Sequence, residues 1–546
     1  MTRIRLSRLP GERVVADDGE VRVELAADAV ATYVAEHEPA GPRWVWDDTA
    51  RWYPRLLADG VRVARCHDLR LAHHLLRRAP AVDRQRLEGE QAEHWHRLGP
   101  TLASEPALFA ADEAVEHLRA DLEDERQQDA VAASSEAGRL ELLLAAESSG
   151  ALAAAEMTHA GIPWRVDVHD RLLTDLLGPR PPRAVRPALL EQAADAVREA
   201  LGAPGLNPDS QQHLLAALRR AGIEVTSTRA SSLRAHDHPA VETVLRYRHL
   251  SRLHTTNGWS WLDQWVREGR FRPTYLPAGV VTGRWASHGG GALSIPVIVR
   301  PAAVADEGWV LVVADVAQLE PRVLAGMSGD RALARTARGA DLYQGMVDDG
   351  AVATRNDAKL GLLGAMYGAT SGESGRLLAG LARRYPDAFA LVERAARAGE
   401  HGEVVRTLLG RGSPSLGEAW SDPDGSVEQG VERNRDDARA RAYGRFTRNF
   451  VVQGTGAEWA LCWIADLRHR LWRIGPDDAP LERRPHLVFF LHDEVVVHAP
   501  AGLADAVRDA VTEASATAAR LLFREHPVDF PLNVSVVRSY AEAGKP

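Results

Sequence analysis

Two apolar runs near the C-terminal end of the chain are separated by only three polar positions. Residues 487–491 read LVFFL and residues 495–497 read VVV, and His492, Asp493 and Glu494 stand between them. Runs of β-branched and aromatic residues joined by so short a connection predict two strands and a tight hairpin. Hairpin tips usually carry Asn-Gly or Asp-Gly, and this tip has no glycine, so its two acids and its histidine need another explanation.

The rest of the pattern predicts a mixture of helices and strands. Residues 308–315, GWVLVVAD, are typical of a buried strand, and this strand ends on Asp315. Amphipathic helices are predicted at 189–202 and 210–222, each ending on a glycine. The pattern also predicts a small α/β unit at residues 1–80 and helices at 105–160. Residues 331–470 are predicted to be mostly helical, apart from an irregular break at 410–426.

Length and composition limit the class of protein. The chain has 546 residues, which predicts two or more domains. It lacks both an apolar run of the roughly eighteen residues that a membrane helix needs and an apolar signal segment, so we expect no membrane partner. Cys66 and Cys462 lie far apart, which argues against a disulfide framework or a zinc site and favours a cytoplasmic location.

Charge alone does not identify a partner. The net charge of −9 argues mildly against a polyanionic ligand, although arginines cluster at 246–252 and 431–450. Either cluster, taken alone, is typical of a solvated helix face. Lysine occurs only at positions 359 and 545, so Lys359 stands out in a chain that otherwise uses arginine for its positive charges.

Asp315 and Asp493 are candidate metal ligands. A carboxylate at a strand end beside a carboxylate on a hairpin tip offers the hard oxygen donors that Mg²⁺ prefers. Two such ions, roughly 3.5–4 Å apart, can hold the attacking and leaving oxygens of a phosphoryl transfer. The alternative is that Asp315 caps the following helix and Asp493 makes the turn. For either residue alone, that structural interpretation is favoured.

A third segment, residues 355–368, changes the balance. Arg355, Lys359, Leu363 and Tyr367 follow one another at intervals of four and therefore share one helix face. Two cations, an apolar position and an aromatic ring would suit a nucleoside triphosphate laid along the helix. Only a lysine on this face could give up a proton to a departing pyrophosphate, since arginine effectively stays charged. The alternative is an ordinary surface helix with solvated charges.

These segments resemble the sequence motifs of family A DNA polymerases, the DNA polymerase I family. Residues 315–330 are similar to motif A, residues 355–368 to motif B and residues 491–500 to motif C. The resemblance runs from about residue 140 to residue 546. Further similar segments, in the expected order, are found at 206–214, 282–287, 407–412 and 445–458.

The resemblance implies roles for individual residues. Asp315 and Asp493 would bind two Mg²⁺ ions, and Glu320 would crowd a ribose 2′-hydroxyl. The resemblance assigns catalysis to Asp315, Lys359, Asp493 and Glu494, nucleotide binding to Gln318, Glu320, Arg355, Lys359, Leu363, Tyr367 and His492, and DNA binding to Thr282, Arg284, Arg445, Asn449 and Gln453.

The implied fold class is α/β, or more fully a multidomain α+β chain shaped as a polymerase right hand. A ribonuclease-H-like α/β domain of the 3′–5′ exonuclease type would occupy residues 1–130, and the polymerase domain residues 131–546. The expected subdomains are a thumb at about 190–265, fingers at about 331–440 and a palm at about 270–330 and 440–546. The expected partners are DNA primer-template and dNTPs, and the chain is expected to be a cytoplasmic monomer acting in repair or replication-associated gap filling.

The sequence also departs from the family pattern. Leu363 stands where an aromatic residue is usual, and Leu362 stands where an asparagine is usual. Gly361 predicts a flexible point in the same helix, because a glycine there lowers helix stability by roughly 0.5–1 kcal/mol relative to alanine. The N-terminal region lacks the D-x-E that an exonuclease needs on its first strand. Ala72 replaces another expected aspartate.

Asp47, Asp48 and Asp68 are poor substitutes for the missing acids, so the N-terminal domain is interpreted as degenerate and structural. Two alternatives to a DNA polymerase remain. One is a non-catalytic DNA-binding or scaffold protein on a retired polymerase fold, and the other, weaker one is an exonuclease without polymerase activity.

Overall fold

The computed structural model describes residues 2–101, 118–182, 184–291, 293, 295–368, 372–417, 432–476, 479–524 and 526–544. Predictions for residues 105–117, for residues 418–426 of the irregular break and for Lys545 fall outside these ranges. The chain forms two compact units. The first contains residues 1–160, 274–288 and 308–536, and the second contains residues 161–273, 289–307 and 537–546.

The N-terminal part of the first unit is a five-stranded sheet covered by helices. The strand order is β3-β2-β1-β4-β5, in which β1, β2 and β3 are antiparallel and β4 and β5 are parallel to β1. This arrangement confirms the predicted α/β unit. Its elements are β1 (Arg3–Leu9), β2 (Arg13–Asp17), β3 (Arg22–Ala26), α1 (Val30–His37), β4 (Arg43–Trp46), α2 (Thr49–Ala58), β5 (Cys66–Asp68), α3 (Leu69–Arg78), α4 (Ala92–Arg97), α5 (Ala120–Ala132) and α6 (Ala137–Ala160).

Alternation along β1 explains how this sheet is covered. Ile4 and Leu6 are buried in the same core as Trp44 and Trp46 of β4, while Arg3 and Arg5 point to the other face. A buried ion-pair network joins this region to helices further along the same unit. Glu156 of α6 accepts hydrogen bonds from the Tyr53 hydroxyl at 2.6 Å and from Arg468 at 2.6–2.8 Å, and all three side chains are almost fully buried.

The second unit is mainly helical. The helices predicted at 189–202 and 210–222 are confirmed, and Gly202 and Gly222 take the left-handed conformation just after each helix, as expected for C-terminal caps. The unit contains β6 (Ile162–Pro163), α7 (Val166–Leu177), α8 (Ala188–Ala200), α9 (Gln211–Arg220), α10 (Ala230–Arg234), α11 (Pro239–Asn257), α12 (Trp259–Trp265), β7 (Val266–Arg267) and β8 (Arg270–Phe271).

The remainder of the first unit is built around a four-stranded sheet with the order β12-β13-β11-β14. The predicted hairpin is confirmed as β12 and β13, joined only by His492 and Asp493. The elements are β9 (Thr274–Leu276), β10 (Ala286–His288), β11 (Trp309–Val316), α13 (Leu319–Ser328), α14 (Arg331–Thr336), α15 (Leu342–Asp348), α16 (Arg355–Tyr367), α17 (Gly372–Arg384), α18 (Pro386–Glu400), α19 (Glu432–Ile474), β12 (His486–Leu491), β13 (Glu494–Pro500), α20 (Ala504–Leu522) and β14 (Leu532–Val537).

Gly361 in α16 has a packing role. A Cβ atom at this position would lie 2.4 Å from Cδ1 of Leu381 and 3.3 Å from Cβ of Leu377, so α17 lies directly against the glycine backbone. Leu381 is fully buried and has little room to move. The helix therefore needs a residue without a side chain here, which explains a glycine that the sequence alone presented as a weak point.

Among the helices that the structure describes, none combines the length and the apolar character needed to cross a membrane.

The glycine contacts give a stability prediction with an internal control. Gly361→Ala should lower the free energy of unfolding by roughly 1–3 kcal/mol, because overpacking against Leu381 outweighs the better helix propensity of alanine. Gly380, in the neighbouring α17, has open space where a Cβ would lie, so Gly380→Ala should stabilise by about 0.5–1 kcal/mol. Urea unfolding followed by circular dichroism measures both changes. Equal effects of the two substitutions would contradict the packing role of Gly361.

Candidate functional site

Three acids lie at the ends of two paired central strands. β11 pairs with β13 so that Asp315 lies opposite Glu494, and the backbone N–H of Val316 donates to the carbonyl of Asp493 at 2.8 Å. Asp315, Asp493 and Glu494 are all half-buried. The strand pairing therefore brings together two segments that are far apart in the sequence, as the hypothesis of a shared metal site requires.

The backbone at these strand ends is unusual at two positions. Gln318 has φ of 50° and His492 has φ of 52°, both in the left-handed region that residues other than glycine seldom occupy. Such conformations persist only where the surrounding structure enforces them, and they concentrate at functional sites. Burial, with a smaller contribution from the positive charge of Arg284, lowers the pKa of His492 to about 4, so this imidazole is neutral at neutral pH.

The donor set fits magnesium bound together with a phosphorylated substrate. Within the described ranges, no three His, Cys, Asp or Glu side chains form a metal-binding group. Mg²⁺ is commonly held by one or two carboxylates, while water and substrate phosphates complete an octahedral shell. Asp315 and Asp493, at the ends of neighbouring strands, offer two half-buried carboxylates, a donor set that matches this requirement better than that of zinc.

The helix face predicted from the four-residue spacing is present on α16. Arg355, Lys359 and Tyr367 are exposed and Leu363 is half-buried, whereas Leu362 is fully buried. Lys359 makes no hydrogen bond or ion pair with any part of the chain that the structure describes. Leu362 therefore contributes to packing, and Leu363 is the apolar position on the accessible face.

Glu320 connects three separate segments of the site. Its carboxylate accepts a hydrogen bond from the guanidinium of Arg284 at 2.5 Å and from the hydroxyl of Tyr367 at 2.9 Å. The Tyr367 hydroxyl also bonds with the side chain of Gln453. Burial and the Glu320 charge raise the pKa of Tyr367 to about 12, which keeps its hydroxyl protonated and able to donate.

Arg322 has a purely structural environment. It is fully buried and donates to backbone carbonyls, including those of Ala317 at 2.8 Å and Gly339 at 2.9 Å. Arg284, and not the nearby Arg322, is therefore the cation that pairs with Glu320.

The predicted DNA-binding residues fall into two groups. Arg445, Asn449 and Gln453 lie one turn apart along α19, with Arg445 exposed and the other two half-buried. Thr282 is buried, and its hydroxyl has no partner within the described residues. The neighbouring Trp285 packs edge-on against Phe490 of β12, with ring centroids 4.8 Å apart, and so fixes the segment that carries Arg284.

Sequence reasoning missed a buried support beneath this segment. Glu458 of α19 accepts from the Thr407 hydroxyl and from the N–H of Leu409, the latter at 3.0 Å. A Cβ at Gly454 would lie 2.5 Å from Thr407 and 3.2 Å from the carbonyl of Thr282, so two loops meet on this part of α19. Residues 407–412 and 445–458 both resemble family A polymerase segments, which marked them as important. Their sequence alone does not reveal that the two segments are in contact.

The N-terminal acids are occupied by structural interactions. Asp48 and Asp68 cap α2 and α3 through backbone N–H groups at 3.1 and 2.9 Å, and Asp47 accepts from Arg51 and Trp52 at 2.5 Å each. On β1, where a D-x-E would be needed, Arg3 and Arg5 instead donate to the fully buried Asp124 at 3.1 and 2.9 Å.

Comparison with known proteins identifies the family. The profile described as DNA polymerase family A matches residues 189–542, which is more than half of the chain. The chain therefore belongs to DNA polymerase family A. It is 30% identical over 333 residues to the thermostable DNA polymerase I of Thermus filiformis, and 28% identical over 327 residues to DNA polymerase I of Chloroflexus aurantiacus. These matches cover 55% and 54% of this chain, and 36% and 32% of the relatives, so the chain matches about a third of their length.

A solved structure supports the fold. The polymerase domain of Pol1 from M. smegmatis, in a complex with DNA primer-template and dNTP, aligns with a TM-score of 0.67 at 20% sequence identity. The alignment covers 97% of this chain and 92% of that domain. The predicted polymerase fold class is thereby confirmed, including the part of the chain that precedes the family match. The proposed domain boundaries and the roles of individual residues remain predictions.

The buried support gives a pH prediction. Burial raises the pKa of Glu458 to about 7 from an ordinary value of 4.5. Between these values the folded chain binds more protons at this site than the unfolded chain, so the free energy of unfolding should fall as the pH rises from about 4.5 through 7. Glu458→Gln, which imitates the protonated form, should remove this part of the pH dependence. Denaturant unfolding at several pH values measures it, with the exposed Glu513→Gln as control. Parallel pH profiles for wild type and Glu458→Gln would contradict the assignment.

Proposed function

We propose that this chain is a template-directed DNA polymerase that adds dNTPs to a primer 3′-hydroxyl. The observation that supports it most is the pairing of Asp315 with Glu494 beside Asp493, in the same compact unit as the exposed cations of α16. Two carboxylates suited to Mg²⁺, with a lysine on an accessible helix face that has no partner in the described part of the chain, form a set suited to phosphoryl transfer from a nucleoside triphosphate.

In this mechanism Asp315 and Asp493 would hold two Mg²⁺ ions, which supply charge stabilisation to the attacking and leaving oxygens. The primer hydroxyl gives up its proton to solvent water, and its oxygen forms a bond to the α-phosphorus of the dNTP. The bond between the α-phosphorus and the oxygen that bridges to the β-phosphate breaks, and pyrophosphate leaves. Arg355 and Lys359 neutralise the phosphates, and Lys359 donates a proton to the departing pyrophosphate. Most of the acceleration would come from positioning and charge stabilisation.

The remaining site residues would bind the nucleotide and the DNA. Leu363 would pack on the sugar and Tyr367 would lie near the templating base pair, with Gln318 and His492 supporting the nucleotide site. The primer-template would be held by Arg284, Arg445, Asn449 and Gln453, with Thr282 shaping the Arg284 segment from its buried position. We further propose that the chain acts as a cytoplasmic monomer in repair or gap filling.

The N-terminal domain is proposed to be structural, without 3′–5′ exonuclease activity. Its acids already serve as helix caps and ion-pair partners, and arginines occupy the first strand where acids would be needed. A non-catalytic scaffold on the polymerase fold is the second candidate. Against it, Asp315, Asp493 and Lys359 are all present. A retired site would have no reason to keep an exposed lysine, unpaired among the residues that the structure describes, in a chain that uses arginine almost everywhere else.

Loss of either metal ligand should abolish extension. Asp315→Ala and Asp493→Ala should each reduce primer extension by several orders of magnitude while leaving the circular dichroism spectrum unchanged, because each removes a proposed metal ligand without removing core contacts. Extension of a labelled primer on a defined template, with Mg²⁺ and dNTPs, measures the effect. Asp466→Ala, which breaks a surface ion pair with Arg470 on α19, is the matched control and should extend normally.

The same assay tests the two competing functions. Wild-type protein that binds the primer-template but never extends it would favour the scaffold. A primer incubated with Mg²⁺ and no nucleotide should stay intact, and rapid shortening of that primer would contradict the proposed loss of exonuclease activity. Extension at the wild-type rate by either aspartate variant would disprove the metal assignment.

Glu320 is expected to select the sugar of the incoming nucleotide. It lies in the first turn of α13, five residues after Asp315, and its carboxylate is fixed by Arg284 and Tyr367, so it can exclude an added 2′-hydroxyl by volume. Glu320→Ala should therefore raise kcat/KM for ribonucleotides relative to deoxyribonucleotides. Steady-state incorporation of one dNTP and its rNTP counterpart measures the ratio.

Tyr367→Phe separates volume from hydrogen bonding. It removes one of the two bonds to Glu320 but keeps the ring and the carboxylate, so sugar selection should weaken less than in Glu320→Ala. An unchanged ratio in Glu320→Ala, with activity retained, would show that Glu320 does not act on the sugar and serves only to join Arg284 to Tyr367.

A further inference from the structure

The two cations on the accessible face of α16 differ in their surroundings. Lys359 is unpaired within the described residues, whereas the Nε of Arg355 donates to the Asp341 carboxylate at 2.6 Å. The Arg355 guanidinium also lies over the ring of Tyr343, 5.6 Å from its centroid. The arginine proposed to bind phosphate is therefore already bound by a carboxylate of the same chain.

Asp341 lies at the border of the candidate site. It precedes α15 and caps that helix by accepting from the N–H groups of Tyr343 and Gln344 at 3.0 and 3.2 Å. The N–H of Leu342, the residue directly after Asp341, donates to the side chain of Gln318. Gln318 lies just after β11, the strand that carries Asp315. The capping bonds hold the carboxylate in position opposite Arg355. Burial opposes ionisation, but the hydrogen bond from Arg355, together with the capping bonds, lowers the pKa of Asp341 below its ordinary value, so the group is charged at neutral pH.

We propose that Asp341 is a specificity-determining residue that competes with the phosphates of the incoming nucleotide for Arg355. The proposal deepens the proposed function, on which it rests. A ligand gains the Arg355 contact only by displacing Asp341 from that guanidinium. Ligands that hold Lys359 and Arg355 together through a full triphosphate can do so, while shorter polyphosphates and the product pyrophosphate are disfavoured.

The free-energy cost of breaking the Arg355–Asp341 ion pair is small, so a phosphate ligand can replace Asp341 reversibly. Arg355 and Asp341 are both partly exposed, with 51% and 35% of their side-chain surface accessible, and exposed ion pairs are individually weak. Such a pair can be displaced by a multiply charged ligand and can form again when that ligand leaves. Asp341 would thereby weaken retention of pyrophosphate after the reaction, as well as binding of nucleoside diphosphates.

Asparagine provides a sharp test because it retains the helix cap. Asp341→Asn keeps a side-chain oxygen that accepts the two N–H groups of α15 and removes only the charge. Asp341→Ser is a second uncharged capping variant, in case the first one unfolds. Asp349 offers the matched control, since it forms a similar exposed ion pair with Arg384 and is no part of the proposed site.

The measurement is isothermal titration of DNA-free protein with dATP, dADP and inorganic pyrophosphate in the presence of Mg²⁺. We expect Asp341→Asn to bind pyrophosphate and dADP about three- to fivefold more tightly, the size of one exposed ion pair, and dATP with a smaller gain. Asp349→Asn should match wild type. In an Arg355→Ala background, Asp341→Asn should have no effect, because the group over which the two anions compete is gone.

The outcomes separate this inference from the proposed function. If wild-type protein extends primers and Asp341→Asn binds pyrophosphate equally or more weakly, Asp341 serves to position Arg355 and the competition is disproved while the polymerase function stands. A tightening that persists in the Arg355→Ala background would also overturn the proposal, since it would reflect only the removal of a negative charge. Failure of the wild type to bind dATP or to extend a primer would overturn both.

Discussion

The register between β11 and β13 is the constraint on which the site depends. Seven residue pairs run from Trp309 opposite Pro500 to Asp315 opposite Glu494. A shift of one residue would move every side chain of the strand to the other face and would separate the acids. The register is held by the buried apolar faces of both strands, with Val312, Ala314, Val495 and Val497 all fully buried. The chemistry at the strand ends is thus fixed by apolar packing along the whole sheet.

Most charged groups near the site are already paired, and the exceptions are informative. Glu320 accepts hydrogen bonds from Arg284 and Tyr367, and Arg322 donates its hydrogen bonds mainly to backbone carbonyls. Lys359 has no partner within the described residues, and Arg355 has a partner that a multiply charged anion can displace. A cationic side chain that binds an anionic ligand must be free of a strong ion pair within its own chain. In the N-terminal region, by contrast, Asp47 and Asp124 are paired with arginines of the same chain.

Close contacts with glycine backbone align the helices that carry the site. α17 lies on α16 at Gly361, and the loops of Thr407 and Thr282 meet α19 at Gly454. In both places the absence of a side chain allows two segments to approach closely enough to fix a functional residue nearby. The cost in helix propensity, about 1 kcal/mol at each position, is small relative to the packing that it permits.

The sequence by itself determined the elements and the chemical candidates. Periodicity located the hairpin around Asp493, the strand that ends on Asp315 and the face of α16, because these features depend on spacings of two and four residues within one segment. Residue type identified the acids and the single internal lysine. Only the tertiary structure decided which of these groups meet. It places Asp315 opposite Glu494 and pairs Glu320 with Arg284. It also pairs Asp341 with Arg355 and makes Gly361 a point of close packing. Each of these contacts joins residues from different segments, and their approach depends on strand register and helix packing, which no local pattern records.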